Sequence, residues 1–500
     1  MELGHFLSAL TPFNLLLALF GVVAGTIVGS IPGLTATMAL AVLVPVTFSM
    51  DPASALILLG AIYTGAIYGG AYAAILLNTP GTPSAIATTF DGYPMAKRGD
   101  GDLAVALACF ASVIGGLIGA FSLLFLAPPL SRVALAFGPI EYFWLSIFGL
   151  SLIASLSTGN LMKGLAGGAF GMLLSTVGVA EVSADIRLTF GSQMLVGGFG
   201  VIGALIGLYC IPVLIDLVAT PDRHLKIEKD VRSVRIGEAF RIAMRSKFNL
   251  VRSSVIGTLI GILPGAGGSV AGLVAYSEAK RAGKAHQRFG EGEPDGILAT
   301  ESANNATVGG GFIPTLVLGI PGTPPDAIVL GALLVQGVRT GPTMFSQSGS
   351  IVYTFIYGLL IATVLMLPAG LLIGRYAYKS IVNIPKAVLV PMVAFMTIIG
   401  TFSIRNSVTD VLLMLGLGVF GWVVGRFGFA ASPIVLGLIL GPIAEQGFVQ
   451  GWTIGAATNN LVGMFFGRPI SQGIIAFTLI TLLLPLYTAR RRRRKATEQS

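Results

Sequence analysis

Two short stretches, NTPGTP at Asn78 to Pro83 and GIPGTP at Gly319 to Pro324, close long apolar runs with oxygen-bearing side chains and helix-breaking residues. Proline removes an amide donor and glycine turns where side chains cannot, so each knot must interrupt a helix. A helix restarting after such a break presents unpaired N–H groups and the positive end of its dipole, which suit a carboxylate. Carbonyls at a helix C-terminus, joined by Asn and Thr oxygens, suit Na⁺. Asn78, Thr79 and Thr82 supply such groups in the first knot; Asn304, Asn305, Thr307 and Thr323 supply them near the second. Glu301 and Asp326 add carboxylates able to bind a cation or carry a proton, although Asp326 equally suits a helix cap and Glu301 a membrane interface. This is binding chemistry. The three histidines, His5, His224 and His286, are scattered through the terminus and polar loops, and the sequence offers no nucleophile, base or metal set.

The elements that hold these groups belong in lipid. The chain is 54% hydrophobic and 11% charged, with a mean hydropathy of +0.85, far from a soluble profile. Segments 3–50, 52–90, 103–131, 188–215, 340–374 and 469–489 contain no Asp, Glu, Lys or Arg. Each has at least the roughly 20 residues that span a bilayer, and several span it twice. None shows the alternating pattern of an outer-membrane barrel, so the expectation is an all-α polytopic membrane protein with about 11 to 13 membrane segments. The first ten residues lack a basic region, and no cleavable signal peptide is expected.

The net charge of +9 is concentrated in loops and tail, which argues against nucleic acid as a partner. Residues 221–252 hold nine Lys or Arg against four acids, and the tail runs RRRRRK from Arg490 to Lys495, so both are expected in the cytoplasm. Within that loop Ile236, Phe240, Met244 and Phe248 recur every four residues, with Arg241 and Arg245 on another face. That is the pattern of an interfacial helix in contact with anionic membrane lipids. Cys109 and Cys210 lie in apolar stretches and read as core residues.

The chain repeats itself. GTIVGSIPGL from Gly25 matches GTLIGILPGA from Gly257, and GGAYAAILLNTPGTP from Gly69 matches GGFIPTLVLGIPGTP from Gly310. Each half therefore carries a Pro-Gly knot (Pro32 and Gly33; Pro264 and Gly265) followed by a Pro-Gly-Thr-Pro knot (Pro80, Gly81, Thr82 and Pro83; Pro321, Gly322, Thr323 and Pro324). Paired breaks in two halves point to re-entrant tips around a transporter's binding site. The approach to the first copy has no Lys or Arg, whereas the approach to the second is the basic loop. This favours inverted repeats and an external N-terminus. The expected division is a first half over 1–220, the basic loop over 221–252, a second half over 253–489, and a tail over 490–500.

Other motifs point elsewhere and fail on context. GDGD at Gly99 to Asp102 has the pattern of intramembrane aspartyl proteases, but Asp91 and Asp100 sit with Lys97 and Arg98 in what reads as a solvated loop. GAGGSVAG from Gly265 lacks the Lys-Ser or Lys-Thr of a phosphate loop. Arg468 before Pro469 reads as a snorkelling residue rather than a substrate counter-ion, and Glu445 as a loop or helix-end residue without a role.

GSIPGLTATMALAVLVPVTF, GGAYAAILLNTPGTPSAIATTFDGYPMAKRG, GILPGAGGSVAGLVAYSEAKR, GGGFIPTLVLGIPGTPPDAIVLGALL and the late FFGRPIS closely resemble the large membrane subunit of the tripartite tricarboxylate transporter family, over essentially the whole chain. The resemblance implies a bacterial inner-membrane permease that works with a small four-helix membrane subunit and a periplasmic solute-binding protein. It implies uptake of citrate or other organic carboxylates driven by Na⁺ or H⁺, with no cofactor and no tightly bound metal. The Pro-Gly knots match the family's signature regions. The tips are expected to line the substrate site, and by their own oxygen chemistry, not by the resemblance, Asn304, Asn305, Thr307, Asp326 and Glu301 are candidates for cation coupling. A passive anion channel is the alternative, separated from a permease by coupling to a gradient.

Overall fold

A computed structural model of the chain describes residues 2–157, 161–180, 182–219, 235–284, 287–377 and 384–497. Residues 220–234 of the basic loop, with His224, and His286 lie outside the described residues.

Four helices that carry or follow the knots start on the same local signal, an oxygen-bearing cap before proline. Thr11 accepts from the Asn14 amide before Pro12, Asp51 from Ala53 before Pro52, Glu293 from Asp295 before Pro294, and Thr323 from Asp326 before Pro324. In chain order the helices are α1 (Glu2–Ala9), α2 (Pro12–Ser30), α3 (Ala36–Leu43), α4 (Pro52–Leu77), α5 (Thr89–Met95), α6 (Gly101–Ala134), α7 (Pro139–Ser157), α8 (Leu161–Ser175), α9 (Val201–Ala219) and α10 (Ile236–Arg245). They continue with α11 (Lys247–Ile262), α12 (Gly267–Arg281), α13 (Pro294–Leu318), α14 (Pro324–Val335), α15 (Met344–Gln347), α16 (Gly349–Leu372), α17 (Lys386–Arg405), α18 (Val408–Arg426), α19 (Ala431–Ala457), α20 (Leu461–Phe466) and α21 (Pro469–Thr497). The strands among the described residues are a two-residue ribbon, Gly178–Val179 against Ile186–Arg187. Among the described residues, eight helices are long and apolar enough to cross a membrane, and five shorter apolar stretches accompany them. The fold is thus an all-α, multi-pass membrane protein.

The chain forms two compact units, one of Met1–Ser131 with Tyr209–Asn406 and the other of Arg132–Leu208 with Ser407–Ser500. Each draws on both halves read from the sequence. In the first unit the reason is visible, because the start of each half packs on the start of the other: the turn Pro83–Ala85 after the first tip lies against α12, and α14 after the second tip lies against α3.

Within that unit the repeat is written in glycine contacts. A Cβ on Gly25 or Gly29 of α2 would lie 2.2 Å from the carbonyl oxygen of Ile62 or Ala66 in α4. In the second copy a Cβ on Gly257 would lie 2.2 Å from the Ala303 carbonyl, and one on Gly261 2.8 Å from that of Thr307. The reverse contacts also match: Gly69 would meet the Thr26 carbonyl at 2.4 Å, and Gly310 that of Thr258 at 2.5 Å. These are equivalent residues under the two sequence matches, so α2 on α4 and α11 on α13 share one packing register. In lipid, where apolar burial gives little drive between helices, such small-residue contacts bring backbones close enough for dispersion to hold them.

Helix α10 buries Ala239 and Ala243 and exposes Ile236 (45%), Phe240 (51%) and Met244 (39%), with Arg241 and Arg245 exposed beside them. This is the face arrangement of a helix lying in a membrane interface. Arg235, just before it, pairs with Asp100 at 2.5 Å and Asp102 at 3.2 Å, and the hydrogen bond it donates to Asp100 holds its guanidinium above the ordinary value. Asp100 and Asp102 of the GDGD motif are therefore structural anion partners. Arg235→Gln is expected to cost about 1 kcal/mol at low ionic strength and less in high salt, because the pair is partly exposed; melting the protein across a salt series checks this.

Asp91 departs from the solvated loop expected of it. It is buried, and its Oδ1 accepts the amides of Gly290, Gly292 and Glu293, each at 2.8 Å, while Arg98 donates to the Gly292 carbonyl at 2.7 Å. In the second unit Arg468 does not snorkel. It pairs at 2.7 Å with the fully buried Glu141, which also accepts from Ser471 at 2.8 Å. Glu445 lies inside α19 and holds Arg187 through two hydrogen bonds of 2.6 and 3.0 Å.

Candidate functional site

The first knot of each half interrupts a helix as its residues require. Gly33 (φ +94°) turns the chain between α2 and α3, and Gly265 (φ +86°) does so between α11 and α12. The Gly265 amide donates to the Gly322 carbonyl at 2.7 Å, tying the two knots of the second half together. The second knots begin at left-handed C-caps, Asn78 (φ 51°) after α4 and Gly319 (φ 70°) after α13. Asn78 and Thr79 remain exposed at that cap, with the Thr79 hydroxyl turned to the Leu77 carbonyl at 3.3 Å. The structure does not bring them to the buried polar cluster.

The tips themselves insert between their own helices. A Cβ on Gly81 would lie 2.3 Å from the Gly29 carbonyl and 3.0 Å from the Gly70 Cα; on Gly322 it would lie 2.8 Å from the Gly261 carbonyl and 3.1 Å from the Gly311 Cα. Only glycine admits this approach. Thr82 and Thr323, one residue on, are thereby buried.

Around Thr323 the hydroxyls form a short chain. Thr323 Oγ1 donates to Asp326 Oδ2 at 2.6 Å; its single proton is then committed, so Tyr63 OH, 2.9 Å away, donates to Thr323. Thr323, not Asp326, caps α14. At the other tip Thr82 Oγ1 lies 2.9 Å from Ser84 Oγ. On α4, next to Tyr63, Thr64 donates to Asn305 Oδ1 at 3.2 Å. Asn304 sits against Gly268 and Ser84, since a Cβ on Gly268 would approach its Oδ1 to 2.2 Å and Ser84 Cβ to 2.9 Å.

Several of these groups are buried without a hydrogen-bond partner: both amide atoms of Asn304, Asn305 Nδ2 and Asp326 Oδ1. Native proteins rarely leave such atoms unsatisfied outside sites that exchange partners. Thr307 differs, because its hydroxyl donates to the Asn304 carbonyl at 2.6 Å within α13. Glu301 is buried too, accepting from Thr88 and, at 3.2 Å, from Ser112. Among the described residues no group of three or more His, Cys, Asp or Glu side chains is placed to hold a metal.

Tyr63, Thr64, Ser84, Thr88, Ser112 and Gly268 are absent from the sequence-derived set. A signal for two of them existed: the spacing that carries Gly69 onto Gly310 carries Tyr63 and Thr64 onto Asn304 and Asn305.

Comparison with known proteins adds the family. Residues 15–436 match the family described as Tripartite tricarboxylate transporter TctA family. A protein of Agrobacterium vitis named as an uncharacterized 52.8 kDa protein in the TAR-I ttuC' 3' region is 34% identical over 496 residues, covering 99% of this chain and 97% of its own. An uncharacterized protein in the TAR-II ttuC' 3' region of the same organism is 33% identical over 241 residues, 48% of this chain and 97% of its own. No solved structure matches. With the family match and a relative aligned along nearly its full length in agreement, this chain belongs to the tripartite tricarboxylate transporter TctA family, a family of membrane transporter components rather than enzymes.

Proposed function

We propose that the chain is the large permease subunit of a binding-protein-dependent secondary active transporter, importing organic carboxylates, citrate-like acids among them, on a Na⁺ or H⁺ gradient. The observation that supports this reading most is a connected set of buried polar groups from both repeats, with Thr82 on Ser84, Asn304 beside Ser84 and Gly268, Thr64 on Asn305, and its neighbour Tyr63 on Thr323 and through it Asp326, four of whose polar atoms are unpartnered. Tip amides and hydroxyls suit the carboxylate, and amide and carboxylate oxygens suit the cation. Thr64 touching Asn305, its own equivalent in the other copy, is the contact expected on a two-fold axis, as in inverted repeats. Access then alternates around the tips, by rocking or by a slide of the tip-bearing bundle with its ligand. A small four-helix membrane subunit and a periplasmic solute-binding protein complete the assembly in a bacterial inner membrane, with the N-terminus periplasmic and the C-terminus cytoplasmic.

The test is uptake of labelled carboxylates, citrate included, into proteoliposomes holding this subunit and its small membrane partner, with the binding protein outside. Concentrative uptake that requires both the binding protein and an imposed Na⁺ or H⁺ gradient is the expected result. Equilibration indifferent to the gradient would replace the permease by a passive anion channel.

A further inference from the structure

Glu301 of α13 is fully buried, and none of the ion pairs among the described residues includes it. A carboxylate withdrawn from water is strongly disfavoured unless something neutralises it. What surrounds it is hydroxyl oxygen. Thr88, in the segment after the first tip, donates to Oε1; Ser112 of α6 donates to Oε2 at 3.2 Å; and Thr300 Oγ1 lies 3.2 Å from Thr88 Oγ1 while giving its own proton to the Ile297 carbonyl at 3.1 Å. Each hydroxyl has one proton and two lone pairs, so all three keep acceptor capacity for a cation. The titratable groups on the elements packed around α13 have partners other than Glu301. Tyr63 of α4 and Asp326 of α14 bond to Thr323, Asp91 of α5 through Oδ1 to backbone amides, and Cys109 of α6 to the Met366 and Leu367 carbonyls. Asp102 of α6 bonds to Arg235, Arg252 of α11 to Asn249, and Glu278 of α12 to Arg281, while Tyr276 of α12 packs on Phe90 and Phe289.

The repeat supplies a second, independent observation. In the register that superposes Ile62 on Ala303 and Ala66 on Thr307, Glu301 falls on Gly60, where a Cβ would meet the Phe355 ring at 2.8 Å. The first copy thus builds the same helix position with a glycine packed against an aromatic ring. The fold itself does not require an acid there.

We propose that Glu301, Thr88, Ser112 and Thr300 form a binding site for one monovalent cation, Na⁺ or a proton, that neutralises the buried carboxylate. Oxygen ligands of this kind are those that hard cations take. The site ties the segment after the first tip to the helix that leads to the second, so its occupancy bears on both tips at once. Its role as the coupling site rests on the permease reading, but its existence does not.

Thermal unfolding of the purified full-length chain in nanodiscs tests it, with Na⁺ or K⁺ at equal ionic strength, in acidic and in alkaline buffer. Wild-type protein is expected to gain stability saturably with Na⁺, or with acid alone. Glu301→Gln, a neutral isostere, loses that dependence and melts, without added cation, at least as high as saturated wild type. Loss of a Na⁺ response identifies Na⁺; loss of an acid response with no Na⁺ response identifies the proton. Ser112→Ala weakens the Na⁺ midpoint by about tenfold, or moves the acid midpoint about one unit to higher pH, because one hydrogen bond to the charged form is gone. It decides the matter should Glu301→Gln not fold. Responses identical in wild type and variants overturn the site and leave the transport reading untouched, since no transport is measured.

Discussion

Thr323→Val is expected to lower carboxylate uptake by about ten- to a hundredfold, whereas Thr82→Val, the equivalent change in the other tip, lowers it by no more than about tenfold. Valine keeps the shape of threonine, so neither change opens a cavity. What differs is the partner. The Thr323 hydroxyl donates to Asp326 at 2.6 Å and accepts from Tyr63 at 2.9 Å, both buried, whereas the partner of the Thr82 hydroxyl among the described residues is the neutral Ser84 hydroxyl at 2.9 Å. Hydrogen bonds to charged groups contribute about 1.5–3 kcal/mol and neutral ones about 0.5–1.5 kcal/mol. Without the Thr323 hydroxyl, Asp326 keeps no side-chain donor and Tyr63 no acceptor among the described residues, so the second tip loses its internal order as well as a binding group. Initial rates in proteoliposomes, at limiting and saturating acid, check this. Equal losses from the two substitutions would mean that the Tyr63–Thr323–Asp326 chain has no special part in transport. Tyr63→Phe removes one bond of that chain and leaves the other, and is expected to fall between the two.

That inequality between the tips was not legible in the sequence, although the tips were. The knots stand out because Pro and Gly have local effects, and the repeat because it needs only two copies of a short pattern; both survive in the structure as helix ends at Ser30, Leu77, Ile262 and Leu318. Side-chain partners depend on residues far away in the chain. Asp91 finds the amides of Gly290, Gly292 and Glu293, Glu445 finds Arg187, and Arg468 finds Glu141, each across more than 190 positions. Composition near such a residue carries no trace of its partner, so a solvated loop, a helix end and a snorkelling arginine were the natural expectations. Tyr63 and Thr64 were hidden differently, by lying in a charge-free run that reads as undifferentiated apolar helix. The segment count was blurred by the knots, which cut apolar runs into pieces such as α3 and α14, too short to cross a membrane alone.

Gly29→Ala is expected to destabilise the protein by about 3 kcal/mol, and Gly261→Ala by a comparable amount, while Gly237→Ala is neutral or slightly stabilising. The added methyl at residue 29 would sit 2.2 Å from the Ala66 carbonyl oxygen and 2.8 Å from its Cα, and backbone cannot rotate aside as a side chain can. Relief requires α2 to move off α4 by about an ångström, loosening contacts along the whole seam, including those of Gly25 and Gly69. Gly237 of α10 has nothing within 4 Å of an added Cβ, so there alanine brings only its better helix propensity. The change at 29 also reaches the site. The Gly29 carbonyl is the surface on which Gly81 seats the first tip, as the Gly261 carbonyl is for Gly322. A displaced α2 therefore moves Thr82, and uptake should fall even at temperatures where the variant remains folded. Fluorescence-detected size-exclusion after heating measures the first effect, and uptake per folded protein the second. A Gly29→Ala protein that melts with wild type would show that α2 and α4 do not meet in this register. One that melts early yet transports normally would show that the tip does not take its position from the seam beneath it.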